Sequence, residues 1–250
     1  MQDSFLKKVI SVKMNNIETR LTEAREELAG VEEFPDPEFV GIIKELGFRC
    51  ELCARCCTKE FNDHVFLLDA DLAVIRQINP DSVTPAPYPE FCDQKGRFYV
   101  SGYALKTKPD GSCIFLENKR CKIYDRRPSI CRVYPYMLHR EADDSGKVDW
   151  RQISGLNEHG SYYSELEDSE CGAIAQETRA YEEAYLRQIV GFFEAVKAHF
   201  QKNGLKHVQS VYDRKIRDFL KGKCELEVFV YYNGEFEKCN LKPVLKLGTS

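Results

Sequence analysis

Near the start of the chain the apolar residues Ile10, Met14, Ile17, Leu21, Ala24 and Leu28 recur at spacings of 4, 3, 4, 3 and 4, the seam of an amphipathic helix. The pattern predicts one helix over residues 4–30, ended by Gly30 and the "FPDPEF" segment, and a short helix over 37–46. The seam is short for a free-standing coiled coil. It reads first as a helix packed on its own domain and second as a homodimer contact. Further on, "HVFLL" predicts a short strand and "DADLAVIRQI" a helix begun by Asp69 or Asp71. Pro80, Pro85, Pro87 and Pro89 make residues 79–112 irregular, with short strands such as "RFYVSGYAL". The acidic "HREADDSGKVDW" reads as an exposed turn or insertion. Tyr181, Tyr185, Ile189, Phe192, Val196 and Phe200 define one face of a long helix over 173–202, and a second helix fits 207–221. In "CELEVFVYYNGEFEKC" an alternating apolar run meets Asn233-Gly234, a hairpin signal. A two-residue turn there sets Cys239 opposite Val228 and Cys224 opposite Pro243.

Hydrophobic residues make up 43% of the chain and charged residues 30%, a soluble globular balance. The formal charge of −4 gives no general attraction to nucleic acid or to an anionic membrane. No apolar run reaches the roughly 20 residues of a membrane span, and "MQDSFLKKVISVKMNN" lacks the plan of a signal peptide. The expected compartment is the cytoplasm, where thiols stay reduced. Eleven cysteines there read as metal ligands rather than disulfides.

Four of them crowd into "RCELCARCCTKEF": Cys50, Cys53, Cys56 and Cys57. A C-x2-C spacing lets a tight turn aim two thiolates at one metal. The even run Cys50, Cys53, Cys56 is the spacing bacterial ferredoxins use to hold irons of a cubane cluster. Adjacent Cys56 and Cys57 are awkward ligands to one ion, because neighbouring side chains tend to diverge. A second group follows in "GSCIFLENKRCKIYDRRPSICRVYP", with Cys113, Cys121 and Cys131, and Cys171 stands at the start of the long helix. Eight such ligands suit one iron–sulfur cluster with spare thiols, or two zinc sites of four thiolates each. Arg126, Arg127 and Arg132 flank Cys131. They would offset the negative charge of a thiolate-bound cluster, brace the chain around Pro128, or meet an anionic substrate. Cys92, Cys224 and Cys239 fall outside the pattern and read as core thiols. Tyr124, Tyr134 and Tyr136 read as packing, and His64, His139 and His159 as non-ligands. H-E-x-x-H, P-loop and nucleophile-elbow motifs are absent from the sequence, so no catalytic residue is assigned.

Taken together, "CELCARCC", "CIFL", "CKIYDRRPSICRVYP" and the later "CG" resemble the CxxCxxCC (YkgJ-type) cysteine-cluster family of zinc- or iron-chelating domains, over residues 48–175. The resemblance implies that Cys50, Cys53, Cys56, Cys57, Cys113, Cys121, Cys131 and Cys171 are the metal-site cysteines. A branch of that family, the flagellin lysine N-methylases, is similar in the cysteine pattern and requires an iron–sulfur cluster. This chain shows no glycine-rich strand-to-helix turn for S-adenosylmethionine. The expected fold is α+β: a mainly helical and irregular cysteine-rich metal-binding domain with flanking helices and a C-terminal β-hairpin appendage. Its segments are 1–35 (helix), 36–175 (metal-binding domain), 176–222 (helical extension) and 223–250 (hairpin tail). The expected function is to carry a [4Fe–4S] cluster for electron transfer, sensing or assistance to a protein partner. A protein-lysine methyltransferase and a structural zinc module for protein contact are the alternatives.

Overall fold

The structure, a computed structural model, describes residues 17–58, 63–138, 150 and 156–243. In chain order its regular elements are α1 (Ile17–Glu33), α2 (Asp36–Leu46), β1 (Phe66–Leu67), α3 (Asp69–Ile78), β2 (Val83–Pro85), β3 (Phe91–Cys92), β4 (Phe98–Val100), β5 (Tyr103–Leu105), β6 (Leu116–Glu117), β7 (Arg120–Cys121), α4 (Ser129–Val133), α5 (Asp168–Asn203), α6 (Gln209–Leu220), β8 (Leu226–Tyr232) and β9 (Glu235–Leu241). The class is α+β, as the sequence pattern indicates. Among the described residues, no helix is long and apolar enough to cross a membrane. The chain forms two compact units, one of residues 1–25, 85–103 and 188–250, the other of 26–84 and 104–187. Each unit is assembled from separated stretches, so they cut across the four consecutive segments drawn from the sequence.

In the first unit, Asn233 and Gly234 take positive φ of 48° and 84° and turn the β8–β9 hairpin. Val228 stands opposite Cys239, the register set by that turn. The hairpin is not an appendage. Strand β8 runs parallel to β4, pairing Phe98 with Val228 and Val100 with Val230, in a sheet of order β3-β4-β8-β9. The reason is burial: Leu226, Val228 and Val230 are almost wholly shielded and need neighbours on their inner face. On the opposite face of the sheet, Tyr99 of β4 with Phe229 and Tyr231 of β8 pack with Phe192, Val196 and Phe200 of α5 and with Leu21 and Ala24 of α1. Two seam positions of α1 are thus buried within their own chain; Ile10 and Met14 lie outside the described residues.

In the second unit, Phe39, Ile42, Ile43 and Leu46 form the buried face of α2 and meet Tyr136, Leu138, Leu166, Cys171 and Leu186. Helix α1 runs through Gly30 and ends at Glu33, just before Pro35. A proline restricts the residue before it, which makes Pro35 the stronger stop. Most of "HREADDSGKVDW" lies outside the described residues. Its last residue, Trp150, is buried against the Phe39 ring at 4.3 Å, unlike the exposed turn expected of that segment. Aromatic area of that size outweighs the polar residues around it.

Candidate metal centre

Helix α2 leads straight into the cysteine loop. Gly47 ends the helix at φ 47°, its N–H donating to the Ile43 carbonyl, and a Cβ there would run into the Ser164 backbone. Only glycine tolerates both the left-handed backbone and that approach. Arg49 and Ser161 then exchange backbone hydrogen bonds of 2.7 and 3.0 Å, and Ser164 N–H donates to Gly47 O at 2.9 Å. The chain therefore enters Cys50 from a fixed direction. Beyond it, Leu52 and Ala54 adopt positive φ of 54° and 65°, before the 3-10 turn Arg55–Cys57. Leu52 N–H donates to Cys50 Sγ at 3.4 Å. Cys50 and Cys53 are exposed, whereas Cys56 and Cys57 are half-buried.

Cys57 is joined to the second cysteine group through the backbone, Cys113 N–H donating to Cys57 O at 2.8 Å. Leu116 N–H returns to Cys113 O at 3.0 Å. The β6–β7 hairpin, turned by Asn118 and Lys119 at positive φ of 49° and 60°, then sets Cys121 opposite Leu116. The Phe115 amide favours the ionised form of Cys113, and the Ile123 amide that of Cys121. A donor aimed at sulfur favours the thiolate, the form that binds metal.

Cys131 rides on α4, whose first residue is latched from across the unit. Buried Asp71 of α3 accepts from Ser129 N–H at 3.0 Å, Ser129 Oγ–H at 2.9 Å and Leu68 N–H at 3.3 Å. Asp71 is the third residue of α3, which begins at Asp69; its carboxylate caps the helix start through Leu68 N–H while also holding the loop that carries Cys131.

Cys57, Cys113, Cys121 and Cys131 feel one another electrostatically. Burial pushes the Cys131 thiol up first, with Cys113, Cys57 and Cys121 adding to it. Burial likewise raises Cys113 to about 11, Cys57 and Cys121 contributing. Cys121 is raised by burial and by Cys57. Cys57 is pushed up first by a hydrogen bond with Cys56, then by burial. Four neutral thiols crowded together in this way are held back from ionising by each other, and a bound cation would reverse that.

Six cysteines, Cys50, Cys56, Cys57, Cys113, Cys121 and Cys131, border a single cavity of about 420 Å³. Its remaining wall is largely apolar, with Leu105, Phe115, Ile123 and Ile130 among the lining side chains. Lys119, Arg120 and Arg127 bring positive charge, and among the described residues no carboxylate faces it. Cys53 and Cys171 are not on this wall. Cys171 is wholly buried in the α2–α5 core, where its charged neighbours are Lys44, Asp168 and Glu170. Cys92 is wholly buried, while Cys224 and Cys239 are half-buried, all three in the other unit.

The three arginines separate. Arg127 lies over the Tyr124 ring at 3.7 Å, and its charge favours the ionised forms of Cys57, Cys121 and Cys131. Arg132 is engaged elsewhere, donating to Glu177 at 2.7 Å, the Arg127 carbonyl at 3.0 Å and Ser129 Oγ at 3.2 Å. Arg126 is exposed in the 3-10 turn before α4. Tyr136 donates to no ligand site but receives the Phe48 N–H at 2.8 Å. Tyr134 and His64 both line the cavity, and Tyr134 hydroxyl meets buried His159 Nε2 at 2.6 Å. His139 lies outside the described residues. Sequence reading took His64 for a non-ligand and Asp71 only as a helix start, and it passed over Ser129, which has no signal of its own in the sequence.

Among the described residues no three cysteine, histidine or carboxylate side chains stand close enough, as placed, to hold one ion. The chemistry of the donors is nevertheless selective. Soft thiols, amides aimed at sulfur and nearby cations suit zinc or iron held in thiolate, and the lack of facing carboxylates does not suit magnesium or calcium.

Comparison with known proteins agrees with that chemistry. Residues 49–154 match the family model CxxCxxCC, described as "Putative zinc- or iron-chelating domain". The chain is also 35% identical over 99 residues to the uncharacterized protein MJ0661 of Methanocaldococcus jannaschii, a match covering 38% of this chain and 48% of that protein. The match thus spans about half the length of that curated relative. No solved structure matches. The cysteine loop, the β6–β7 hairpin and α4 all fall inside the stretch 49–154 that matches the CxxCxxCC family model.

Proposed function

We propose that this domain carries an iron–sulfur cluster on Cys57, Cys113, Cys121 and Cys131 and serves a redox, sensing or accessory role alongside a protein partner. The observation that supports it is the grouping of these four thiols on one cavity of about 420 Å³. At about 30 Å³ per water molecule in the liquid, that is room on the order of a dozen waters, more than a single ion fills. Such a cluster supplies one-electron redox chemistry tuned by charge, hydrogen bonds to sulfur and exposure. The chain supplies those influences: Arg127 as the charge, Phe115 and Ile123 N–H as donors, and the apolar wall as a barrier to water.

Zinc is the second reading, because the family description names it and four thiolates complete a structural zinc site. Visible absorption of the anaerobically purified full chain separates the two. A brown protein whose broad band bleaches on reduction supports the cluster. A colourless protein containing stoichiometric zinc refutes it.

A further inference from the structure

Several cations of the second unit stand beside carboxylates: Lys44 meets Asp168, Arg49 meets Glu170, and Arg132 meets Glu177. The border of the thiol cavity is different. Lys119, Arg120 and Arg127 line it, and among the described residues none of the three is paired with a carboxylate. The β6–β7 hairpin has one acidic residue, Glu117, which goes to Lys122 at 2.9 Å, a cation that is not on the cavity wall. Arg127 is also held in place. Its Nε donates to the Tyr124 carbonyl at 2.9 Å and its guanidinium lies 3.7 Å from the centre of the Tyr124 ring, which leaves the two terminal nitrogens to donate elsewhere.

Lys119 stands where a lysine is costly. The hairpin pairs Leu116 with Cys121 and Glu117 with Arg120, so Asn118 and Lys119 make a two-residue turn, at φ of 49° and 60°. Such a turn favours asparagine followed by glycine, because both positions are left-handed. A side chain at the second position is strained, and Lys119 is exposed, so burial does not offset the strain. What the turn does is set Lys119 on the cavity border. Lys108 and Arg127 are the cations that bear most on the thiols, so Lys119 and Arg120 are left for another charge.

The cavity has the size and make-up of a small-molecule site. Its volume of about 420 Å³ lies within the range of roughly 300–1,000 Å³ of such sites, which are largely apolar with a few fixed polar groups. We propose that it binds a small organic carboxylate, with the apolar body against Leu105, Phe115 and Ile130 and the charge on Lys119, Arg120 and Arg127. The planar fork of an arginine matches a carboxylate. Among the described lining residues there is no glycine to bare the amides that cradle a phosphate. The proposal names the class of molecule that a redox or sensing centre here would meet. It rests on the cluster reading for its role, whereas its binding is tested separately.

The test is calorimetric titration of the full chain, purified without oxygen, with iron and zinc counted in each sample. The probes are benzoate, its neutral isostere benzamide, and inorganic phosphate. Benzoate is expected to bind at a single site, with benzamide and phosphate weaker by at least about tenfold, the loss of one charge-assisted bond. Arg127→Gln should weaken benzoate by about ten- to hundredfold on the same ground. Lys119→Gly should also weaken it while raising the urea midpoint, since glycine suits the turn; a lysine kept for structure would lower that midpoint instead. Benzamide or phosphate binding as tightly as benzoate overturns the proposal, as does wild-type benzoate affinity in both variants. A poly-glutamate peptide bound in preference to benzoate makes the border a docking face for an acidic protein and overturns it too. Benzoate failing to bind an iron-loaded chain removes this proposal alone. Benzoate binding to a chain without iron supports it and removes the cluster.

Discussion

Replacing Asp71 with alanine probes how the site is held. Asp71 accepts three hydrogen bonds in a buried position, two from Ser129 and one from Leu68 N–H. Without the carboxylate the Ser129 hydroxyl can turn to another acceptor, but the two backbone N–H groups cannot. Each orphaned buried donor costs about 1–3 kcal/mol. The cost of burying the carboxylate is relieved at the same time, so the net loss is about 2–4 kcal/mol, against a total of roughly 5–15 kcal/mol for an ordinary domain. Urea unfolding of the metal-free, reduced chain measures it. The Ser129→Ala change in both backgrounds should return a coupling of about 1 kcal/mol, since the two residues share their bonds. A second signature is pH. Burial, the largest influence, pushes the Asp71 carboxyl above its ordinary value despite the bonds from Ser129 and Leu68. The folded chain then holds this proton to higher pH than the unfolded chain, so this contribution to stability falls as pH climbs from the ordinary aspartate range through the folded value. Asp71→Asn should abolish that slope. Stability of Asp71→Ala within about 0.5 kcal/mol of wild type, the range of neutral surface changes, together with strict additivity with Ser129→Ala, would refute the latch.

Three further outcomes are expected. Cys131→Ser should lower the metal content of purified protein, while Cys171→Ser, Cys224→Ser and Cys239→Ser leave it unchanged; elemental analysis of all four decides. Arg127→Gln should keep the cluster and lower its reduction potential, because a nearby positive charge favours the more negative reduced state, whereas Arg132→Gln, engaged with Glu177, should barely move it. Redox titration with iron counted in parallel reads both. Burial lifts Glu90 to about 7, with a Ser101 hydrogen bond and the Arg20 charge opposing it. The folded chain binds this proton more tightly between about 4.5 and 7, so stability falls as pH rises across that window, by roughly 3 kcal/mol. Glu90→Gln should flatten the profile there in urea unfolding at stepped pH.

The features legible in the sequence are those set by nearby residues. Asn233-Gly234 dictated a hairpin and its register, and the Tyr181-to-Phe200 stripe marked the buried face of α5. The cysteine spacing and its family resemblance pointed to residues 48–175, and the family model matches 49–154 within them. What escaped depends on distance in sequence. The parallel pairing of β4 with β8 joins residues about 130 apart and has no local signal. The β6–β7 hairpin carried a weaker cue, Asn118-Lys119, which reads as a turn only once its left-handed backbone is seen. Within the motif, spacing treated eight cysteines alike. The structure separates them by burial and neighbours: Cys171 is drawn into the core by the first turn of α5, and Cys57 is drawn to Cys113 by a backbone bond. Arg127 and Arg132 looked equivalent beside Cys131 until Glu177, on another helix, distinguished them.

The central claim is that four cysteines of this domain carry a cluster of iron and sulfide. The most direct measurement counts iron, acid-labile sulfide and zinc per chain in anaerobically purified wild-type protein and in the Cys113→Ser/Cys131→Ser variant. The account predicts iron and sulfide in equal amounts in the wild type, and loss of both in the variant. Zinc without sulfide in the wild type, or iron and sulfide retained at full level by the variant, would contradict it.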